Sequence, residues 1–198
     1  MLEELISSKT RVKLLTLFLL NPGKSYYIRE IERLIGKNYS IVRHELSKLE
    51  SFGLIRSETK GNQKYYSVDQ NFFLYQDLQK IVLKTEGVSR FLQENLAGLG
   101  NVECIFIYGS FASGKASANS DIDLFIVGDL DEEQLVPLIL ESERSIGREI
   151  NYTLANTEEF TKRLRDADPF IMTILNGPKV TIFGDCRYNE KDGIGRAD

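Results

Sequence analysis

The chain has 198 residues, of which 42% are hydrophobic and 27% charged, and its formal net charge is −4. This composition is typical of a globular protein with room for one or two hydrophobic cores. It argues against a membrane protein, because no apolar run approaches the roughly 18–20 residues of a spanning helix. The first residues lack the charged-then-apolar order of a secretory signal, so we expect a cytoplasmic location.

Two residue types that often build functional sites are scarce. His44 is the single histidine of the sequence, which nearly excludes a His-based triad or a His-rich metal site. Cys104 and Cys186 have no metal-ligand spacing, and Cys104 lies in an apolar, strand-like run. We therefore expect a buried, reduced thiol, not a disulfide or a zinc ligand.

Charge is distributed unevenly along the chain. Residues 1–70 contain 12 Lys and Arg against 8 Asp and Glu, whereas residues 71–198 contain 13 against 21. A basic first third followed by an acidic remainder indicates two modules with different partners.

The first module, residues 1–70, begins with three predicted helices. Apolar side chains are dense over residues 11–20, and an Asn-Pro-Gly sequence ends that helix. The second helix is predicted over residues 27–35, with Leu34 on its apolar face. The third is predicted from residue 39 to about residue 52. The side chains that its spacing directs inward are Ile41, Leu46, Leu49 and Phe52.

A β-hairpin is predicted after the third helix. Two short strands, residues 53–59 and 65–68, flank a basic turn that is rich in residues able to adopt positive φ. Three helices and a basic-tipped hairpin resemble a winged helix-turn-helix, and residues 46–55 resemble the junction of its recognition helix and wing. The resemblance implies that the third helix enters the major groove of double-stranded DNA. The candidate DNA-binding residues are Ser40, Arg43, His44, Ser47, Lys60 and Lys64.

Other interpretations of this module stay open. Some winged helices mediate protein contacts, and an exposed histidine such as His44 is often only solvated. The net charge of the first module is small for DNA affinity, because each phosphate contact adds only one ion to the salt dependence. A dimer doubles the contact area, so we expect a homodimer on DNA.

A helical connector, residues 71–100, is predicted to join the modules. Apolar side chains follow helical spacing over residues 72–82 and again over residues 88–99. Such aromatic and aliphatic stripes usually form a core or a dimer interface, so we assign no ligand to them.

The second module, residues 101–187, mixes predicted strands and helices. The predicted strands cover residues 102–108, 121–127, 149–154 and 180–183. The predicted helices cover residues 132–146, 157–165 and 169–175. This order indicates an α/β (α+β) fold, a sheet with helical cover. The polar residues 188–198 are expected to form a flexible tail.

Two short patterns in this module carry the chemistry. A Gly-Ser pair, Gly109 and Ser110, follows the first strand, where a glycine allows a tight turn and the hydroxyl and free N–H groups favour an anion. Asp121 and Asp123 begin the next strand and project from one face, because strand side chains alternate. Paired carboxylates repel unless a cation lies between them, and Mg²⁺ suits two carboxylates plus phosphate oxygens.

This arrangement resembles the nucleotidyltransferases of the DNA polymerase β superfamily, and most closely their minimal domains. The resemblance implies that Gly109 and Ser110 contact a nucleoside triphosphate, and that Asp121 and Asp123 bind Mg²⁺ (or Mn²⁺) and are catalytic. Lys115 and Ser120 complete the candidate nucleotide-binding residues. Many minimal domains carry an arginine where this chain has Ser113. Lys115 is a candidate to supply the positive charge of that arginine.

The family usually adds a third carboxylate from a later strand, as a metal ligand and as a base for the acceptor. Glu149 is the best candidate for this catalytic and metal-binding role. Asn151 shares its face of the predicted strand but cannot act as a base. Asp129 and Asp131 are expected in a turn.

The sequence thus predicts a DNA-binding transcriptional regulator that carries a Mg²⁺-dependent nucleotidyltransferase domain. That domain would transfer a nucleoside monophosphate from an NTP to a hydroxyl acceptor, such as a protein or RNA. Two alternatives stay open: a domain that senses nucleotide without chemistry, and an antitoxin-like protein nucleotidyltransferase. Whether the domain is an active enzyme is therefore undecided at this point.

Overall fold

The computed structural model describes residues 2–186, and its N-terminal part contains four helices and a small sheet. The helices are α1 (Leu2–Leu5), α2 (Lys9–Leu19), α3 (Ile28–Ile35) and α4 (Tyr39–Phe52). The strands are β1 (Tyr26–Tyr27), β2 (Ile55–Lys60) and β3 (Gln63–Val68), which pair antiparallel in the order β1-β3-β2. The three predicted helices and the hairpin are confirmed, with α1 and β1 as additions.

The buried face of α4 differs from the prediction. Val42, Leu46 and Leu49 form the buried stripe, whereas Ile41 and Phe52 are 43% and 53% exposed. Successive residues of a helix are rotated by about 100°, so a one-residue error in phase moves a side chain off the buried face. The inward assignment of Ile41 and Phe52 was therefore wrong.

A buried ion pair explains why an acidic residue lies on that stripe. Glu45 is buried, and its carboxylate accepts a hydrogen bond of 2.8 Å from Arg11 Nε on α2. Burial acts to raise the pKa of Glu45, but the hydrogen bond and charge of Arg11, with the charge of Lys48, hold it below its ordinary value. Leu34 on α3 is 56% exposed, against the prediction that it faces inward.

Two helices lie in the predicted connector, residues 71–100, and its role as a connector stays a prediction. They are α5 (Tyr75–Thr85) and α6 (Val88–Asn95), followed by a short 3₁₀ turn at Leu96–Gly98. Each helix between residues 2 and 186 is too short or too polar to span a lipid bilayer.

The second sheet has four strands, in the order β6-β5-β4-β7. Its strands are β4 (Gly100–Tyr108), β5 (Ile122–Leu130), β6 (Ile150–Ala155) and β7 (Val180–Gly184). The helices of this part are α7 (Gly109–Ala112), α8 (Glu132–Ile146), α9 (Thr157–Arg165) and α10 (Pro169–Asn176). Strands β5 and β6 are parallel, whereas β4 is antiparallel to both of its neighbours. The predicted α/β (α+β) class is confirmed.

The two faces of this sheet pack against different helices. Ile122, Leu124 and Ile126 of β5 belong to the core that includes α8 and the first module. Phe125 and Val127, which alternate with them, pack in a second core that α9 and α10 cover. A polar side chain at the start of β5 therefore lies on one or the other of these two faces.

The first module and the rest of the chain are joined by buried polar contacts. Asn21 Nδ2 donates to the Ile146 carbonyl at 2.9 Å, and Gln79 Nε2 donates to the Leu19 carbonyl at 2.9 Å. A cleft of about 650 Å³ runs along this junction, between α2 and α3 on one side and α6 and the end of α8 on the other. The domain boundary near residue 70 stays a prediction, and these contacts cross it.

The two cysteines form a disulfide, so the expected reduced thiol is wrong. Strand β7 pairs with β4 so that Gly184 lies opposite Cys104, and Cys186 follows two residues later. The resulting Cα–Cα distance of 5.7 Å falls in the range that a disulfide spans. Pairing between distant strands is not visible in cysteine spacing. The predicted tail, residues 188–198, lies outside the described residues.

Candidate functional site

The turn between β4 and α7 depends on a glycine. Gly109 has a φ of 71°, a left-handed conformation that side chains disfavour. A methyl group on its Cα would overlap Asp123 Oδ2. Both the backbone conformation and the close approach of the carboxylate therefore require glycine at this position.

Asp121 and Asp123 lie on the same side of β5. Asp123 is opposite Tyr108 in the sheet, and Asp121 immediately precedes the strand. Burial raises the pKa of the Asp123 carboxyl, and the negative charge of Asp121 raises it further. This partly buried pair of carboxylates, in which Asp123 has no cationic partner among residues 2–186, is a donor set that fits a divalent cation bound with phosphate oxygens.

The neighbouring strand β6 places an amide side chain next to the two carboxylates. Asn151 is opposite Asp123, and its Nδ2 donates to Asp121 Oδ2 at 3.3 Å. Glu149 precedes β6, is exposed, and contributes its carbonyl to a 3.0 Å hydrogen bond from Ile122 N. Among residues 2–186, no three His, Cys, Asp or Glu side chains are grouped to hold a metal. The role proposed for Glu149 therefore stays a prediction.

The other predicted nucleotide-binding residues differ in their availability. The Ser110 hydroxyl makes no hydrogen bond to the described part of the chain, and Lys115 is exposed. The Ser120 hydroxyl instead accepts a 2.9 Å hydrogen bond from Ser117 N, which closes the turn before Asp121. Within the described part of the chain, Ser110 and Lys115 are thus free for a ligand, whereas Ser120 shapes the backbone.

Sequence reasoning missed a buried arginine behind the site. Arg148 donates from Nε to the Leu20 carbonyl at 2.7 Å and from Nη1 to the carbonyls of Ser117 and Ser120. Its guanidinium lies 5.2 Å from the centre of the Phe111 ring in α7. Arg148 thereby links the first module, the turn before Asp121 and the Gly109 helix.

The electrostatics of Arg148 reflect this position. Burial lowers the pKa of its guanidinium, while the charges of Tyr26, Asp121 and Tyr75 oppose that change. Its Nη2 is buried and has no hydrogen-bond partner within residues 2–186. One feature of the sequence could have drawn attention to Arg148: it is a charged residue directly after Gly147, the glycine that ends α8.

The predicted DNA-binding residues form two groups. On α4, Ser40, Arg43, His44 and Ser47 are exposed, and Ser40 Oγ donates to Asn38 Oδ1 at 3.1 Å. In the hairpin, both lysines are already paired with carboxylates. Lys60 Nζ lies 3.3 Å from Glu58, and Lys64 Nζ lies 3.1 Å from Glu50.

Two family models match separate parts of the chain. Residues 8–57 match the bacterial regulatory protein, arsR family, model, and this range contains all of α4. Residues 86–182 match the Polymerase beta, Nucleotidyltransferase model, and this range contains Gly109, Asp121, Asp123 and Asn151.

Individual relatives match parts of the chain. A Methanocaldococcus jannaschii protein described as a candidate protein adenylyltransferase is 34% identical over 65 residues. The match spans 33% of this chain and 65% of the relative. The chain therefore covers less than two thirds of the relative's length.

Two solved structures from Sulfolobus solfataricus show weaker likeness. The DNA-binding protein Sso10a-2 is 19% identical with a TM-score of 0.32, over 46% of this chain and 86% of that chain. A candidate nucleotidyltransferase is 22% identical with a TM-score of 0.29, over 44% and 79%. The family models carry the assignment by region: residues 8–57 correspond to a helix-turn-helix regulator domain of the arsR type, and residues 86–182 to a nucleotidyltransferase domain of the polymerase beta type.

Proposed function

We propose that this protein is a DNA-binding transcriptional regulator whose second domain transfers a nucleoside monophosphate from an NTP to a hydroxyl acceptor. The observation that carries the proposal is the position of Asp123 against Gly109, with Asp121 two residues before it, inside the region that matches the nucleotidyltransferase family. The carboxylates would hold Mg²⁺ or Mn²⁺. Ser110 and Lys115 would contact the triphosphate.

The transfer can be written from the chain's own residues. The acceptor oxygen attacks the α-phosphorus in line, the bond from that phosphorus to the bridging oxygen breaks, and pyrophosphate leaves with the electron pair. The hydroxyl proton passes to a base, for which Glu149 is the candidate. A divalent ion, when bound, would neutralise phosphate charge during this displacement.

A protein hydroxyl is the acceptor that we favour. The Methanocaldococcus jannaschii relative is described as a candidate protein adenylyltransferase, which supports AMP as the group transferred and a protein as its recipient. An antitoxin-like role, in which a partner protein is modified, is one form of this proposal.

Transfer can be tested with labelled nucleotides. The protein is incubated with Mg²⁺ and each NTP labelled at the α-phosphate, with and without a cell extract, and labelled macromolecules are separated. NTPs labelled at the γ-phosphate serve as the control, because that phosphate leaves in pyrophosphate. We expect label only from the α-position. Absence of label from every NTP, with Mg²⁺ or Mn²⁺, would contradict transfer.

A second candidate function is nucleotide sensing without chemistry. Asn151 supports it, because an amide lies opposite Asp123 on β6 and contacts Asp121. An amide can ligate weakly but cannot remove the acceptor proton. In this alternative, bound NTP would alter DNA binding and no label would be transferred.

For the first module, we propose that α4 binds the major groove of DNA as part of a homodimer. Arg43→Ala should weaken DNA binding and reduce the slope of log affinity against log salt by about 1, because one phosphate contact is lost. Lys64→Ala should have a smaller effect, because Lys64 is paired with Glu50 before DNA binds. Fluorescence anisotropy at several salt concentrations measures both.

Lys80→Ala is the matched control for these variants. Lys80 is exposed on α5, outside the helix-turn-helix region, and its loss changes the net charge equally. An effect of Lys80→Ala as large as that of Arg43→Ala would contradict docking through α4.

A further inference from the structure

An aromatic side chain is exposed on the face of the sheet that carries Asp123. Phe170, in the first turn of α10, is 40% exposed, although the next residue, Ile171, is fully buried. Its ring centre lies 6.2 Å from that of Tyr108 and 6.3 Å from that of Phe125. Tyr108 is opposite Asp123 in the sheet, and Phe125 is two residues beyond it. Phe170 therefore lies over the sheet face that carries Asp123.

The ring of Phe170 is held in place before any ligand binds. Phe125 is fully buried beneath it, and Tyr108 meets it at an interplanar angle of 82°. The Arg163 guanidinium lies 5.7 Å from its centre, and Arg163 is itself fixed by Asp168 at 3.3 Å. An exposed ring with so little freedom loses little conformational entropy when a flat ligand stacks on it.

We propose that Phe170, together with Tyr108, forms the surface on which the base of the bound nucleotide stacks. This inference rests on the proposed nucleotide site at Asp121 and Asp123. Tyr108 directly precedes Gly109, so the aromatic wall begins one residue from the proposed triphosphate contacts. Every base has a π-face, so stacking on an aromatic side chain tolerates all of them. The surface would therefore accept all NTPs and favour purines, which have the larger face.

A single-tryptophan variant gives a direct test. The chain contains no tryptophan, so Phe170→Trp places one fluorophore at the proposed surface. We expect ATP with Mg²⁺ to quench its emission by stacking, and inorganic tripolyphosphate with Mg²⁺ to leave it unchanged. Calorimetry on the same samples shows whether each ligand binds. Binding of ATP without quenching would overturn the proposal.

Phe170→Ala provides an independent measurement. Its affinity for ATP should fall by about tenfold, the usual effect of losing one stacking partner, while its affinity for tripolyphosphate should not change. Met172→Ala is the control, because Met172 is on the same helix and is 38% exposed. Equal ATP affinity in Phe170→Ala and the unaltered protein would overturn the proposal. If the unaltered protein binds neither ATP nor tripolyphosphate, the nucleotide site itself fails, and the base surface fails with it.

Discussion

The Asp123→Asn variant should lose metal-dependent nucleotide binding by about 100-fold or more, equivalent to about 2.8 kcal/mol. Its free energy of unfolding without metal should stay unchanged or rise. Burial and the charge of Asp121 raise the pKa of Asp123, so the ionised carboxylate costs folding free energy at neutral pH. Asparagine has nearly the same shape and removes that charge. Calorimetric titration of NTP with Mg²⁺ and thermal unfolding measure the two effects.

Asp129→Asn is the control for this variant. Asp129 is on the same strand, β5, but is exposed at its other end, so the substitution should alter neither nucleotide binding nor stability. A structural role of Asp123 would differ in its effect on stability: the free energy of unfolding would fall, and the loss of binding would be proportionate to that fall. Unchanged metal-dependent binding in Asp123→Asn would contradict the site assignment.

Much of this site could be predicted because it depends on local rules. The conformation of Gly109 and the shared face of Asp121 and Asp123 follow from turn geometry and from strand alternation. Both need only a few neighbouring residues. The same is true of the hairpin β2–β3, whose two-residue turn contains a glycine at positive φ.

Features that depend on distant contacts could not be predicted in this way. Arg148 contacts the Leu20 carbonyl, 128 residues earlier in the chain, and nothing near it in the sequence indicates that partner. Cys104 and Cys186 meet because β7 pairs with β4 across 82 residues. The burial of Glu45 likewise depends on Arg11 of another helix.

The third side chain of the site, beside Asp121 and Asp123, could not be predicted from strand alternation alone. Alternation predicts one shared face for Glu149 and Asn151, but it cannot choose between them, and in the structure only Asn151 lies within β6. The choice depends on the parallel register of β6 with β5, which places Asn151 opposite Asp123 and leaves Glu149 before the strand. Register between strands is set by packing of the whole sheet.

If the domain is a nucleotide sensor, Asn151→Asp should therefore have the largest effect on catalysis. Its amide contacts Asp121 Oδ2 at 3.3 Å, so an aspartate there would add a third carboxylate beside Asp121 and Asp123. If the natural protein senses nucleotide, the variant should gain transfer of α-label, since a positioned base contributes about 10²–10⁴-fold. Without metal, added repulsion should lower its melting temperature, and Mg²⁺ should raise that temperature more than in the unaltered protein.

Glu149→Gln separates the two proposed functions in the same assay. If Glu149 is the base, the natural protein should transfer label, Glu149→Gln should abolish transfer, and Asn151→Asp should add little. If the domain is a sensor, the natural protein and Glu149→Gln should both be inactive, and Asn151→Asp alone should gain activity. Asn151→Ala controls for loss of the contact with Asp121, because it removes the amide without adding a charge. Transfer that none of these changes affects would mean that the proton leaves by way of solvent, and that β6 contributes shape to the site but no catalytic group.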